Sequence, residues 1–279
     1  MKKVIIIILS LALSLLPLLS ALSDEAPALS LLAINVRKAD ALLLRCGDSA
    51  YLIDTGSKDS SETLLSVLRE EGVTRLDGVI LTHTHADHVG GLKALVKSEI
   101  AVGSVYAPKC YTLKKEDGKH PVEKALKKTN HTVTWLEAGD TLPLSGGTLT
   151  VLGPLEKSET ENCNSLVLLA EGGGGRMLLT GDMEFPEEDS LLKAGQIPQA
   201  DVIKIGNHGE GDATSAQLLT TVQPKLAVIS TNTDDEPDTP DPRVLKLLND
   251  QNIPYLLTQD AETGVLITLA NGELSTGIV

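Results

Sequence analysis

Three histidines and an aspartate fall within six residues, at His83, His85, Asp87 and His88, in the stretch ILTHTHADHVGGL. The chain has six histidines, so half of them lie in this one stretch. The apolar run GVILT directly before them predicts a short buried strand that ends at the first histidine. Imidazole and carboxylate groups are the ligands expected for zinc, manganese or iron. On a loop leaving that strand, the first two histidines can converge on one ion, while the Asp-His pair faces a neighbouring ion.

The spacing H-x-H-x-D-H after a strand resembles the motif of the metallo-β-lactamase superfamily, and the resemblance extends along nearly the whole chain after the N-terminal apolar run. The stretch LIDTG resembles the family's first motif, which implies that Asp54 is a buried acid behind the metal site. The stretch LLTGD resembles the strand that ends in a bridging carboxylate, here Asp182. The stretch IKIGNHG resembles the segment with the last histidine, here His208.

The chain is similar to one subgroup in particular, the hydrolase domain of ComEC-type DNA-uptake proteins and its free-standing secreted relatives. The similarity lies in the sequence and order of four stretches: NSLVLL, LLTGDME, ADVIKIGNHG and PKLAVIS. That subgroup carries Asn in place of a third histidine at the first metal site, and Asn164 fits this pattern. Two positions depart from the subgroup. Asn207 replaces the first residue of the usual His-His-Gly, and Thr239 stands where relatives commonly carry Gly-His-Pro. These departures leave the substrate class open.

The resemblance implies two divalent ions, zinc in the first place and manganese as the alternative. The expected metal ligands are His83, His85, Asp87, His88, Asp182 and His208. Among these, Asp87 and His208 are also the expected catalytic residues, and support from outside the ligand shell is expected from Asp54, Asn164 and Asn207. Two such ions lower the pKa of a water held between them, and the resulting hydroxide attacks a phosphorus or a carbonyl carbon. We find no Ser/His/Asp or Cys/His triad that competes with this reading of the motifs.

The expected function is a secreted metal-dependent hydrolase of phosphodiesters, nucleic acid included. One alternative is a lactamase or lactonase; another is a non-catalytic extracellular binding protein that keeps the fold, favoured by Asn207 and Thr239. The formal net charge of −14 repels a phosphate backbone. We therefore expect a small-molecule or oligonucleotide substrate and no stable nucleic-acid complex. The Lys-rich segment 109–128 either attracts an anionic substrate or is a solvated helix face.

The N-terminus, MKKVIIIILSLALSLLPLLSALSDEAP, has two lysines, an apolar run and the small residues Ala21 and Ser23. This pattern predicts a secretory signal peptide at residues 1–23 and a hydrolase domain at residues 24–279. The mature chain would then be secreted or extracytoplasmic and not bound to a membrane. The alternative is an uncleaved anchor helix, because the apolar run approaches the length that spans a bilayer.

Segments with strand-like and helix-like patterns alternate in both halves of the chain, and no Pro- or Ser-rich linker separates the two halves. This order predicts one α+β domain: a four-layer αββα sandwich of two mixed sheets, face to face, with helices outside. Helices are expected over residues 59–71, 184–194, 215–221 and 242–250, and over HVGGLKALVKS. The glycines of EGGGG predict a hairpin turn between two strands.

Three cysteines, Cys46, Cys110 and Cys163, match no zinc or disulfide framework. We expect them to be buried small residues, with one disulfide as the alternative in an oxidising compartment. The histidines outside the motifs, His120 and His131, are expected at the surface.

Overall fold

A computed structural model describes residues 26–112 and 120–279, so the expected signal peptide and part of the Lys-rich segment lie outside the described residues. Over the described ranges, every helix is too short or too polar to cross a membrane.

The described residues form fifteen strands. The first eight are β1 (Leu29–Ile34), β2 (Leu42–Cys46), β3 (Ser49–Ile53), β4 (Arg75–Ile80), β5 (Ala101–Pro108), β6 (Val133–Leu136), β7 (Thr141–Leu144) and β8 (Gly147–Gly153). The others are β9 (Val167–Gly172), β10 (Gly175–Leu179), β11 (Val202–Lys204), β12 (Leu226–Ile229), β13 (Tyr255–Leu257), β14 (Gly264–Ala270) and β15 (Glu273–Ile278).

These strands make two mixed sheets. The first sheet has the order β15-β14-β1-β2-β3-β4-β5-β6, antiparallel as far as β3 and parallel from β3 to β6. The second has the order β13-β12-β11-β10-β9-β8-β7, parallel from β13 to β10 and antiparallel beyond. The β9–β10 turn is the expected glycine hairpin, with positive φ at Gly173 and Gly174.

Seven α-helices flank the sheets in the described part: α1 (Ser61–Glu70), α2 (Ala86–Val89), α3 (Leu92–Leu95), α4 (Pro121–Leu126), α5 (Phe185–Lys193), α6 (Ala216–Val222) and α7 (Pro242–Asp250). The local sequence explains where helix α7 begins. Pro242 begins it, and the side chain of Asp241 accepts a hydrogen bond from the Arg243 N–H. Both features are standard helix starts.

Three apolar cores separate four layers. Between the sheets, Leu31 and Leu44 of the first sheet belong to one cluster with Leu168 and Met177 of the second. A second cluster joins the outer face of the first sheet to α1, α3 and α4, and a third joins the second sheet to α5, α6 and α7. The four-layer αββα sandwich of two mixed sheets is thereby confirmed.

The single helix expected over HVGGLKALVKS is wrong, because the chain breaks there into α2 and α3. Gly90 and Gly91 lie between them and press against the segment that follows β3. A Cβ atom on Gly90 would lie 2.3 Å from Lys58 N, and one on Gly91 would lie 2.2 Å from Thr55 O. The two glycines thus permit a close backbone approach that holds the histidine loop against the first sheet.

The expectation that His120 is a surface residue is also wrong, because its side chain is buried in a small aromatic cluster. Its ring stands edge-on to Tyr111 and Trp135, with ring centroids 4.5 and 4.8 Å away. His131 is half-buried. All three cysteines are free thiols; Cys46 and Cys163 are buried and Cys110 is half-buried, so the disulfide alternative is not formed.

We predict that protonation of His120 destabilises the fold. Burial lowers the pKa of His120 from 6.5 to about 4. The unfolded chain therefore takes up this proton first, and stability that is fully present above pH 6.5 is lost as the pH falls towards 4. Relative to His120→Phe, which keeps a ring in the cluster, the wild type should lose on the order of 1–3 kcal/mol across this interval in urea unfolding. Parallel pH profiles of the two proteins would contradict the prediction.

Candidate metal centre

Strand ends from both sheets bring the motif residues together. Asp54 follows β3 and the histidine loop follows β4, and these strands are parallel neighbours in the first sheet. Asp182 follows β10 and His208 follows β11, which are parallel neighbours in the second sheet. The carboxyl ends of parallel neighbours lie at the same edge of a sheet, so four separate segments meet where the two sheets face each other.

One oxygen of Asp182 lies at the middle of the cluster. Its Oδ2 is 3.1 Å from His88 Nε2, 3.6 Å from His208 Nε2 and 3.7 Å from His83 Nε2. Asp87 faces the same atoms from the other side, with its Oδ2 at 3.4 Å from His208 Nε2 and 4.0 Å from His88 Nε2. These five side chains converge although three different loops carry them.

These separations fit a tetrahedral cation site. Four ligand atoms that each lie about 2.0–2.2 Å from zinc are roughly 3.3–3.6 Å from one another. The four imidazole–carboxylate separations among Asp87, His88, Asp182 and His208 run from 3.1 to 4.0 Å. We call these four residues the four-ligand site.

Several buried atoms in the cluster lack a hydrogen-bond partner. They include His83 Nε2, His208 Nε2 and Asp182 Oδ1. An unpaired buried polar atom costs free energy, and a cation held among these atoms removes that cost. The donor set of imidazoles and carboxylates suits a divalent transition metal.

A second group lies beside the first. The His83 and His85 rings are edge-on at 4.7 Å between centroids, and His83 shares Asp182 with the four-ligand site. We call His83, His85 and Asp182 the paired-histidine site. His83 is fully buried, whereas His85 is half-buried.

Hydrogen bonds behind the imidazoles orient them. The Asp54 carboxylate lies 2.8 Å from His88 Nδ1, and it accepts the backbone N–H and the hydroxyl of Thr82, each at 2.7 Å. His208 Nδ1 lies 2.9 Å from the Ser230 carbonyl, which can only accept. Both imidazoles therefore carry hydrogen on Nδ1 and turn Nε2 towards the centre.

Charges in the cluster shift one another's pKa. Burial alone would lower the pKa of His88, but the Asp182 and Asp54 carboxylates outweigh it and raise this pKa well above its ordinary value. Burial alone would raise the pKa of Asp182, but the His88 and His208 imidazoles outweigh it and hold this pKa well below its ordinary range. A cation bound among these groups would stabilise the buried carboxylates and would need the His88 Nε2 free of its proton.

A buried lysine and aspartate adjoin the centre, and sequence reasoning missed both. Asp40 lies with His88, Asp182 and His208 in a group whose ligand atoms are within 4.8 Å of one another. Its Oδ2 accepts a hydrogen bond from Lys204 and is 3.9 Å from His88 Nδ1, on the side away from Nε2. Asp40 therefore pairs with Lys204, while Asp87 faces the Nε2 atoms. Lys204 also donates to the Gly181 carbonyl and lies 3.8 Å from Asp182 Oδ1.

The two asparagines expected near the metal turn away from the cluster. The Asn164 side chain donates to Ser158 O and Thr160 O, each at 3.1 Å. The Asn207 amide donates to Asp212 Oδ1 at 3.1 Å. Both are spent on holding loops.

The turn that carries His208 has an unusual backbone. Asn207, His208 and Gly209 have φ values of 46°, 52° and 82°, all in the left-handed region. Such a conformation costs a non-glycine residue roughly 1–2 kcal/mol and persists where the surrounding structure enforces it. Asp54 also has a positive φ of 61°, so two residues of the centre carry this cost.

We predict that Asp54→Asn weakens metal binding roughly 10- to 100-fold, the usual effect of removing a group that orients a ligand imidazole. Chelator competition on the purified chain measures this change. The matched control is Asp59→Asn, an exposed residue five positions later. Equal affinities in the two variants would show that Asp54 does not orient His88.

We predict that Lys204→Met lowers the free energy of unfolding by about 3–5 kcal/mol, because it leaves the buried Asp40 carboxylate without its partner. Removing both charges with Asp40→Asn and Lys204→Met should cost less than the sum of the two single changes. Urea unfolding in the presence of a chelator measures all four proteins. Strictly additive costs would mean that the two residues do not act as a pair.

Comparison with known proteins agrees with this geometry. The sequence pattern of the metallo-beta-lactamase superfamily matches residues 34–231. ComE operon protein 3 of Bacillus subtilis (strain 168) is 32% identical over 203 residues, which cover 72% of this chain and 26% of that protein. Competence protein ComA of Neisseria gonorrhoeae is 32% identical over 194 residues, covering 68% of this chain and 25% of that protein. The chain thus spans about a quarter of the length of these relatives.

Solved structures share the fold at low sequence identity. YhfI from Bacillus subtilis, a metallo-beta-lactamase fold protein, has a TM-score of 0.57 at 15% identity and covers 90% of this chain and 100% of its own. Tm1679, a metal-dependent hydrolase of the beta-lactamase superfamily, has a TM-score of 0.57 at 14% identity with the same coverage. The chain belongs to the metallo-β-lactamase superfamily, and in sequence it is similar to ComEC-type competence proteins.

Proposed function

We propose that this chain is a metal-dependent phosphodiester hydrolase with two divalent ions that share Asp182. The observation that carries the proposal is the single buried Asp182 oxygen faced by three imidazole nitrogens. Zinc suits the tetrahedral spacing of the four-ligand site, and manganese is the alternative. Divalent ions at such a centre supply Lewis acidity and lower the pKa of a bound water.

The residues of the chain divide the remaining work. Asp54 and the Ser230 carbonyl fix the imidazoles of His88 and His208. Asp87 differs from its buried partners, since a third of its side chain is exposed. Asp87 is therefore the carboxylate at the mouth of the centre, placed to orient a nucleophile. Although burial opposes them, the His208 and His88 imidazoles hold the pKa of Asp87 below its ordinary range, so this carboxylate stays ionised.

Three acidic residues on the side of the His208 turn are paired with basic residues. Lys38 lies 2.8 Å from Glu210 and 2.6 Å from Glu236, and Arg37 holds Asp235 through its guanidinium. These pairs offset part of the negative charge that would repel an anionic substrate at this side of the centre.

A basic and aromatic cavity supports an oligonucleotide as the substrate. It has a volume of about 570 Å³, and its lining includes Lys127, His131 and Trp135. The cavity lies between α4, which contributes Glu123, and the amino end of β6, where His131 and Val133 line it. Aromatic side chains and lysines together favour single-stranded nucleic acid. The relatives named for competence point in the same direction.

The proposed location is secreted or extracytoplasmic, with residues 1–23 as a signal peptide. The N-terminal lysines and apolar run support it. The proposed interaction with nucleic acid is transient, because the chain as a whole is acidic.

We predict that the purified chain hydrolyses bis(p-nitrophenyl) phosphate in the presence of zinc or manganese and stops when a chelator is added. Asp182→Asn should reduce the rate roughly 10³-fold or more, because ion-based charge stabilisation supplies several kcal/mol. Asp189→Asn, on the exposed face of α5, is the matched control and should be fully active.

Three outcomes separate the alternatives. Turnover of a chromogenic lactam or a lactone, without turnover of the phosphodiester, would replace the proposal by the lactamase or lactonase function. Metal binding without any turnover would favour the non-catalytic binding protein. Oligonucleotide cleavage that falls steeply between 50 and 200 mM salt, roughly as expected for phosphate contacts, would identify nucleic acid as the substrate.

A further inference from the structure

A buried carboxylate outside the ligand set grips the histidine loop. Thr84 lies between His83 and His85, and both its backbone N–H and its hydroxyl donate to Glu161 Oε1. The second oxygen of Glu161 accepts the backbone N–H of Thr112, just after β5. Glu161 is 9% exposed, so these bonds are largely shielded from water. One carboxylate thus ties the loop after β4 to the chain after β5.

Asn164 completes this arrangement. Its amide nitrogen lies 3.1 Å from the Ser158 and Thr160 carbonyls and 3.2 Å from Thr112 Oγ1, three acceptors that share its two hydrogens, and its oxygen accepts the Ser158 N–H at 2.8 Å. A side-chain amide has two donor hydrogens and one acceptor oxygen, so these bonds occupy both ends of the group. We call Thr84, Thr112, Glu161 and Asn164 the loop clasp.

The loop clasp matters because the paired-histidine site has few protein ligands. The four-ligand site draws its ligands from three separate loops, whereas His83 and His85 come from one loop, two residues apart. Asn164 adds nothing to the paired-histidine site, since its amide is spent in the clasp. The Thr82 hydroxyl lies 3.1 Å from His83 Nδ1 and orients that ring from behind. The position of both imidazoles relative to each other depends on how firmly the backbone at Thr84 is held.

We infer that Glu161 is the positioning residue of the paired-histidine site: it fixes the Thr84 backbone so that His83 and His85 hold an ion with Asp182 alone. This inference rests on the proposed function, because it needs two ion sites. Charge-assisted hydrogen bonds are the stronger kind, and the two oxygens of one carboxylate serve two loops at once. The loop clasp thus orients the ligands of the paired-histidine site without supplying a ligand itself.

The test is a titration of the metal-free chain with zinc, followed by chelator competition, in wild type and in Glu161→Gln. A glutamine keeps an acceptor for Thr84 but turns an NH₂ group towards the Thr112 N–H, so one side of the clasp is lost. We expect the affinity of one ion to fall roughly 10- to 100-fold, while the other ion binds as in wild type. The matched control is Glu159→Gln, which is exposed two residues earlier and should bind both ions normally.

Thr84 gives a second, milder pair of variants in case Glu161→Gln folds poorly. Thr84→Val removes the hydroxyl bond and keeps the backbone bond, so it should weaken the same ion by a smaller factor. Thr84→Ser keeps both bonds and should restore wild-type affinity. Thermal unfolding of the metal-free proteins shows whether each variant is folded.

The outcomes separate this inference from the proposed function. Two tight ions in wild type, in Glu161→Gln and in Thr84→Val would overturn the inference and leave the proposed function standing. Equal weakening of both ions would assign Glu161 a general structural role and also overturn the inference. A wild-type chain that binds no ion would overturn the proposed function and the inference together.

Discussion

The centre depends on how the chain compensates charges that it buries at one edge of the sandwich. Asp40, Asp54, Asp182 and Lys204 are almost fully excluded from solvent. Ionised groups in such places are stable only when they are paired and hydrogen-bonded. The carboxylate of Asp40 forms an ion pair with Lys204. The carboxylate of Asp54 is hydrogen-bonded by His88 and by the Thr82 hydroxyl. The protein itself therefore supplies the partners of both carboxylates. Asp182 is matched less completely: imidazole nitrogens face its Oδ2 and Lys204 is 3.8 Å from its Oδ1. A cation bound at Oδ2 would complete the charge balance of the centre.

Much of this arrangement could be predicted from the sequence because the information is local. The strand before the histidine loop, the strand before Asp182 and helix α7 are all formed where the apolar patterns predict them. The face-to-face sheets also follow from the order of those patterns. Contacts between distant segments could not be predicted in this way. Lys204 and Asp40 are 164 positions apart, and Glu161 and Thr84 are 77 positions apart.

The sequence did contain one overlooked signal. A lysine inside the apolar strand text VIKI must either leave the sheet or find a buried partner, and Lys204 finds one in Asp40. Glu161 offered no such signal, because it lies in a polar loop where a surface glutamate is the ordinary expectation. The break between α2 and α3 was missed for a different reason. Gly91 packs against the backbone of Thr55, a contact between distant segments. The helical periodicity of the local sequence contains no information about that contact.

The left-handed turn at Asn207 and His208 bears on how such a site can evolve. Outside glycine, positive φ is adopted most readily by Asn, Asp and His, and β-branched residues resist it. The backbone at position 207 therefore accepts an amide or an imidazole equally well. A histidine at position 207 would fit the left-handed backbone but would give up the hydrogen bond from the Asn207 amide to Asp212. The side chain beside the candidate metal centre can therefore change while the backbone that carries His208 keeps its conformation.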